Sequence, residues 1–181
     1  MSGILALISL SSVLIQVPAS AQKASRLITT PSVASVTGRV TVHMTVGRTF
    51  GEHPVRNLSL YLIRVEDSKA LQDLQRKCRR AVGQAQSNPE AAYEVCMQSL
   101  ADAAKMVPNM RAVATIQTHR EGSYKFENVP AGGRHQIVGL KFEGDEPVVI
   151  VGLTAKLKPS EVHKVDLSEN AAWTDALPPA R

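Results

Sequence analysis

The chain lacks the short motifs that mark the commonest catalytic and metal sites. Its 181 residues contain no glycine-rich phosphate loop, no Gly-x-Ser-x-Gly elbow and no His-Glu-x-x-His helix. No Cys-x-x-Cys pair occurs, and the five histidines are scattered along the sequence rather than spaced as zinc ligands. These absences predict a protein that is not an enzyme and that holds neither a cofactor nor a metal.

Aromatic residues are also scarce, and the surplus of positive charge is modest. Lys and Arg number 21 against 16 Asp and Glu, and a net charge of +5 does not predict nucleic-acid binding. Aromatics make up 4% of the chain. Tyr124 and Phe126 alternate within a predicted strand and are expected in the core. Phe50 and Trp173 fall in a predicted loop and tail, so they are the candidates for stacking on a ligand.

No charged residue precedes Lys23, and the segment before it is mostly apolar. Small residues at Ala19 and Ala21 predict a signal peptide over residues 1–21 and export to a secreted or periplasmic location. The alternatives are an uncleaved anchor or a buried first helix. The apolar stretch is shorter than the roughly 20 residues of a membrane-spanning helix, so we expect no span after cleavage. Residues 22–35 are predicted to be a linker.

Alternating apolar and polar residues predict strands in the remainder of the chain. The pattern is strictest from Val36 to Val46, where the even positions are apolar except for Gly38. A loop at 47–53 precedes a second strand with apolar residues on both faces, which is expected to be covered on both sides. Seven predicted strands with turns between them favour an antiparallel sandwich, followed by a flexible tail at 169–181.

The period changes to that of helices between residues 67 and 107. One apolar stripe contains Leu71, Leu74, Cys78, Val82 and Ala85, and a second contains Tyr93, Cys96, Leu100, Ala103 and Val107. Ser87 and Glu90 have the spacing of a capping box at the start of the second helix. This segment is therefore predicted to be a helical hairpin inserted into a β domain.

The two cysteines of the chain are predicted to form a disulfide across this hairpin. Cys78 and Cys96 each lie nine residues from Ser87, so antiparallel helices rising about 1.5 Å per residue bring them level. Export to an oxidising compartment favours their pairing. A metal pair or a reactive thiol is the alternative, since neighbouring basic residues would favour a thiolate.

Those neighbours form the most concentrated run of charge in the sequence. Arg76, Lys77, Arg79 and Arg80 flank Cys78 and are the candidate residues for binding an acidic partner or an anionic surface. The alternative is a solvated helix face that Asp73 and Glu94 partly neutralise.

Three stretches of the β segments match a family pattern. They are Gly38-Arg39-Val40, Pro54-Val55 with Leu58-Ser59-Leu60, and the run Gly122-Ser123-Tyr124-Lys125-Phe126-Glu127-Asn128-Val129-Pro130-Ala131-Gly132. Together they resemble the carboxypeptidase regulatory-like family over residues 36–66 and 111–168. Thr118-His119 departs from the Thr-Asp that the family commonly has at this turn.

That resemblance implies a seven-stranded antiparallel prealbumin-like sandwich over residues 36–168, with the hairpin at 67–107 as an insertion. Such domains are similar to carbohydrate-binding-like folds and usually serve as non-catalytic accessory or adhesion modules of exported bacterial proteins. Fold alone does not establish function.

The residues support three hypotheses of function. The first is an exported, non-catalytic module that binds a protein or cell-envelope component, with the hairpin as the contact. The alternative is a carbohydrate-binding accessory domain that uses Phe50 and the 47–53 loop. The third is an enzyme or redox protein centred on Cys78.

Overall fold

The computed structural model describes residues 32–46, 49–85, 88–143 and 146–168, together with Trp173. The predicted signal peptide (1–21), the predicted linker up to residue 31 and the predicted tail apart from Trp173 lie outside the described residues.

The described part of the chain is mainly β, with one helical hairpin inserted between two strands. The elements in chain order are β1 (Val33–Val46), β2 (Thr49–Pro54), β3 (Ser59–Arg64), α1 (Lys69–Gly83), α2 (Pro89–Met106), β4 (Ala114–Gln117), β5 (Ser123–Pro130), β6 (His135–Glu143), β7 (Glu146–Leu153), β8 (Val162–Lys164) and β9 (Leu167–Ser168). The predicted β class and the helical insertion are confirmed.

Strand β1 organises the first sheet. It pairs antiparallel with β5 along Val33–Arg39 and with β2 along Thr41–Val46. The short strands β8 and β9 add to β1 in parallel. The second sheet is antiparallel throughout, in the order β4-β3-β6-β7.

Two apolar clusters hold these layers together. The first lies between the sheets and includes Val36, Leu60, Phe126 and Ile150. The second lies between the second sheet and the hairpin and includes Ile63, Leu71, Ala103, Val138 and Val151. Because alternate residues of a strand point to opposite faces, β3 supplies both clusters, which confirms that this strand is covered on both sides.

The described residues contain nine strands, whereas the sequence pattern predicts seven. The predicted loop at 47–53 contains most of β2, because residues 49–54 hydrogen-bond to the second half of β1. The last predicted strand is divided into β8 and β9 by Val165 and Asp166. Strand β1 also begins at Val33, inside the predicted linker, because its first residues pair with the end of β5.

The two helices begin close to the predicted positions, but the cap of α2 differs. Asn88 is the N-cap of α2, and its side-chain oxygen accepts a hydrogen bond from the Ala91 amide at 3.1 Å. The predicted capping residue, Ser87, lies outside the described residues. Pro89 occupies the first turn of the helix, where a missing N–H costs nothing.

The Cys78–Cys96 disulfide is present and joins α1 to α2, with the two Cα atoms 4.6 Å apart. Closing a loop of 18 residues stabilises the folded chain by about 3 kcal/mol on the chain-entropy estimate.

Candidate functional site

Only part of the hairpin belongs to the apolar cluster that it shares with the second sheet. Its members in the second apolar cluster come from residues 71–78 of α1, from residues 96–103 of α2 and from Val107 just after α2. None of the described residues from 79 to 95 belongs to that cluster. These residues, 79–85 and 88–95, are called the hairpin tip below, and they lie on either side of the turn between the two helices.

Two large apolar side chains are exposed on the hairpin tip. Val82 is 59% exposed and Tyr93 is 65% exposed. Val82 lies one helical turn after Cys78, and Tyr93 lies one turn before Cys96, so both continue the stripes that pack on the sheet. Both side chains lie outside the second apolar cluster, which accounts for their exposure.

The basic run lies on the exposed side of α1, with Arg79 and Arg80 in the tip and Arg76 and Lys77 just before it. Arg76 forms an ion pair with Asp73 at 2.6 Å, so part of the predicted neutralisation is present. The Nε atom of Arg80 donates to the Arg76 carbonyl at 3.4 Å. Lys77, Arg79 and Arg80 are all exposed. The candidate partner-binding residues and the exposed apolar pair therefore belong to the same hairpin.

A second surface is a cleft of about 890 Å³ on the outer face of the first sheet. Polar side chains of β1, β2 and β5 line it, together with the segment that forms β8 and β9. They include Thr37, Arg39, Thr41, Glu52, Ser123, Lys125, Lys164, Asp166 and Ser168. Most of these residues are the outward-facing, odd-numbered positions of β1 and their neighbours on adjacent strands.

Charges on this cleft occur as neighbouring opposite pairs. Lys164 lies 2.8 Å from Asp166, and Arg39 lies 3.8 Å from Glu121. The hydrogen bond from Lys164 is the main cause of the lowered pKa of the Asp166 carboxyl, and the Arg39 amide also donates to it. The cleft is therefore rich in hydrogen-bonding groups without a large net charge.

The floor of the cleft is held together by a hydrogen bond and by a close approach of two backbone segments. The Tyr124 hydroxyl donates to the Val165 carbonyl, and burial, with a smaller effect of the Asp166 charge, raises the pKa of this phenol. A Cβ atom on Gly38 would collide with the same carbonyl oxygen, so only glycine fits where the two segments cross. Tyr124 and Phe126 are buried, as predicted, with their rings edge to face.

The two candidate stacking residues, Phe50 and Trp173, differ sharply in their exposure to solvent. Phe50 is 69% exposed, and its ring lies 5.9 Å from the ring of His43. It belongs to β2 rather than to a loop, and Glu52 on the same face of β2 lines the cleft. Trp173 is only 7% exposed and belongs to the second cluster, and its carbonyl accepts from Gln75 at 2.8 Å. The prediction of a free Trp173 ring was wrong, because Trp173 packs in the apolar cluster that the hairpin shares with the second sheet.

Thr118, in the Thr118-His119 pair before the turn into β5, has a structural role. Its buried hydroxyl donates to the Val55 carbonyl at 2.7 Å and accepts from the Leu58 amide at 3.0 Å. Thr118 therefore holds the segment between β2 and β3 against the end of β4.

Sequence reasoning identified the hairpin residues but missed the cleft. Its lining comes from four separate chain segments, and the one local signal was the polar face of the first strand. Cys78 is buried and bonded to Cys96, so the described structure holds no thiol at that position. No group of three or more potential metal ligands occurs in the described ranges. Within the same ranges, no helix has the length and apolar character needed to cross a membrane.

Comparison with protein-family models finds no match for this chain, and comparison with curated proteins finds none. Among solved structures, the chain is similar to the Bacillus anthracis TIE protein, with 10% sequence identity and a TM-score of 0.33. The alignment covers 75% of this chain and 17% of that protein.

Proposed function

We propose that this protein is an exported, non-catalytic β-sandwich module of prealbumin-like type that binds a protein or cell-envelope partner through its hairpin tip. The observation that carries the proposal is the exposure of Val82 and Tyr93 on a disulfide-linked hairpin, outside the apolar cluster that packs against the second sheet.

The chemistry of the tip favours a partner with an apolar patch beside acidic groups. Four large apolar residues of the described chain are exposed, and two of them lie on the tip. Tyrosine is among the residues that dominate binding energy at interfaces. Lys77 and Arg80 stand on the neighbouring face, where positive charge would speed encounter with an acidic surface. The disulfide lowers the cost of ordering the tip on binding.

Export is supported by the disulfide, because such bonds persist mainly in oxidising compartments. N-terminal sequencing of secreted material tests this part of the proposal. We expect Gln22 as the first residue. Finding Met1 instead would show that the N-terminal segment is retained as an anchor.

The binding proposal is tested with paired substitutions. The immobilised wild-type chain and the double variant Val82→Ser/Tyr93→Ser are incubated with an envelope extract, and bound proteins are quantified by mass spectrometry. We expect at least one protein that is retained by the wild type to be reduced at least tenfold in the variant.

Val162→Ser is the matched control, because Val162 is 68% exposed and lies in β8, away from the hairpin. The control should retain the same protein at the wild-type level. Equal retention by the tip variant and the wild type would exclude the tip as the contact.

Carbohydrate binding is the second candidate function, and the cleft beside Phe50 favours it. An exposed ring at the border of a polar cleft is suited to stacking on a sugar while hydroxyls bond to residues such as Ser123 and Asp166. A glycan array with the wild type and Phe50→Ala tests it, with Val162→Ala as control. Absence of any glycan hit for the wild type would rule this function out.

A further inference from the structure

Two arginines, Arg64 and Arg111, lie at the root of the hairpin, at the opposite end of the helices from its tip. Arg64 is the last residue of β3, and Arg111 lies between α2 and β4. Strands β3 and β4 are antiparallel with Leu62 opposite Ala114, and the Val113 amide donates to the Leu62 carbonyl at 2.7 Å. This pairing brings both arginines to the same end of the second sheet.

The two arginines line one cleft of about 360 Å³. Its other lining residues are Asp67, which lies in the 3-10 turn after β3, and the chain at Ala112 and Val113. A cavity of this size is within the range of small-ligand sites.

The charged side chains that line this cleft form no ion pairs with the described residues. In the part of the chain that the structure describes, neither guanidinium forms an ion pair or a side-chain hydrogen bond. The Asp67 carboxylate has no such partner there either, although it lines the same cleft. In the cleft of the first sheet, by contrast, Lys164 and Asp166 pair directly. Two guanidinium groups and one carboxylate line this cavity, so its net charge is positive and would favour an anion.

The positive charge of Arg64 affects the pKa of a neighbouring buried residue, His135. His135 lies opposite Arg64 on β6, is 1% exposed, and has no hydrogen-bond partner at either ring nitrogen. Burial is the main cause of its lowered pKa; the Arg64 charge lowers it further, and Glu66 opposes both. His135 can therefore report on the charge state of the cleft.

We propose that Arg64 and Arg111 bind a small oxyanion, a phosphate or carboxylate group of a ligand, while Asp67 accepts a hydrogen bond from a donor on the same ligand. The planar guanidinium presents parallel N–H groups that match both oxyanions. The site is independent of the proposed function of the tip, because none of its lining residues belongs to the tip.

Calorimetric titration of the full chain with inorganic phosphate, and separately with acetate, tests the proposal. We expect saturable one-to-one binding of at least one anion, weakened at least tenfold in both Arg64→Gln and Arg111→Gln. Arg120→Gln is the matched control, because it removes the same charge from the exposed turn between β4 and β5. Circular dichroism melts establish that all three variants fold, as expected for exposed side chains.

A second measurement detects anion binding without relying on the heat of binding. An anion beside Arg64 should raise the pKa of His135, measured by NMR titration of its ring protons with and without saturating anion. Preference for phosphate or for acetate identifies the group that the site accepts. Absence of saturable binding for both anions, unchanged binding in either cleft variant, or an equal loss in Arg120→Gln would overturn the proposal.

Discussion

Reducing the Cys78–Cys96 disulfide removes the covalent bond that joins α1 to α2 next to the hairpin tip. The bond closes a loop with a sequence separation of 18, for which the chain-entropy estimate is about 3 kcal/mol of unfolding free energy. For a chain of this size, 1 kcal/mol corresponds to about 2–4 °C in Tm, so the expected decrease is about 6–12 °C. Reduction leaves side-chain volumes unchanged and therefore adds no cavity to the measured effect.

Urea unfolding of one preparation with and without dithiothreitol measures this difference, and thiol titration monitors the bond. We expect no reactive thiol without reductant and two after reduction. The double variant Cys78→Ala/Cys96→Ala should lose at least as much stability, since Cys78 is buried and alanine leaves a cavity there. Two reactive thiols in the native, unreduced protein would refute the disulfide. A change below about 0.5 kcal/mol on reduction would refute the assigned magnitude.

Three further predictions concern stability and are measured by urea unfolding. Gly38→Ala should cost about 1–3 kcal/mol, because its Cβ meets the Val165 carbonyl, whereas Gly51→Ala has open space around its Cβ and should change little. Thr118→Val should cost about 1–3 kcal/mol, because it leaves a buried amide and carbonyl without their partner; an effect below 0.5 kcal/mol would contradict that role. Burial holds the pKa of His135 below its ordinary value of about 6.5, so the unfolded chain binds the proton first and stability should fall as pH decreases below that value. His135→Leu should weaken this pH dependence, and an identical profile would contradict it.

Local periodicity predicted the elements that have a continuous apolar face. Strand β1 alternates strictly, β3 is apolar on both faces, and the hairpin repeats at helical spacing, so each could be predicted from neighbouring residues alone. The disulfide followed from the same spacing, because two cysteines equidistant from a helical turn must lie level.

The errors arose where a residue's environment depends on distant segments. Apolar and polar residues alternate only weakly in β2, and this strand forms because its backbone pairs with the second half of β1. Val82 and Tyr93 lie on the predicted stripes, but their exposure depends on which part of the hairpin packs in the cluster shared with the second sheet. Trp173 is buried because it packs in the cluster beneath α1, where the Trp173 carbonyl accepts a hydrogen bond from Gln75.

The sequence by itself determined the β class, the inserted hairpin and the pairing of its cysteines, since these depend on side-chain periods within single segments. Only the tertiary structure decided which surfaces are concave, which cations are paired and which apolar residues lack cover. The paired charges of the first-sheet cleft and the unpaired Arg64 and Arg111 look alike in the sequence. Arg39 is paired because folding brings it to Glu121, more than 80 residues away in the sequence, whereas folding brings no such partner to Arg64 or Arg111 among the described residues.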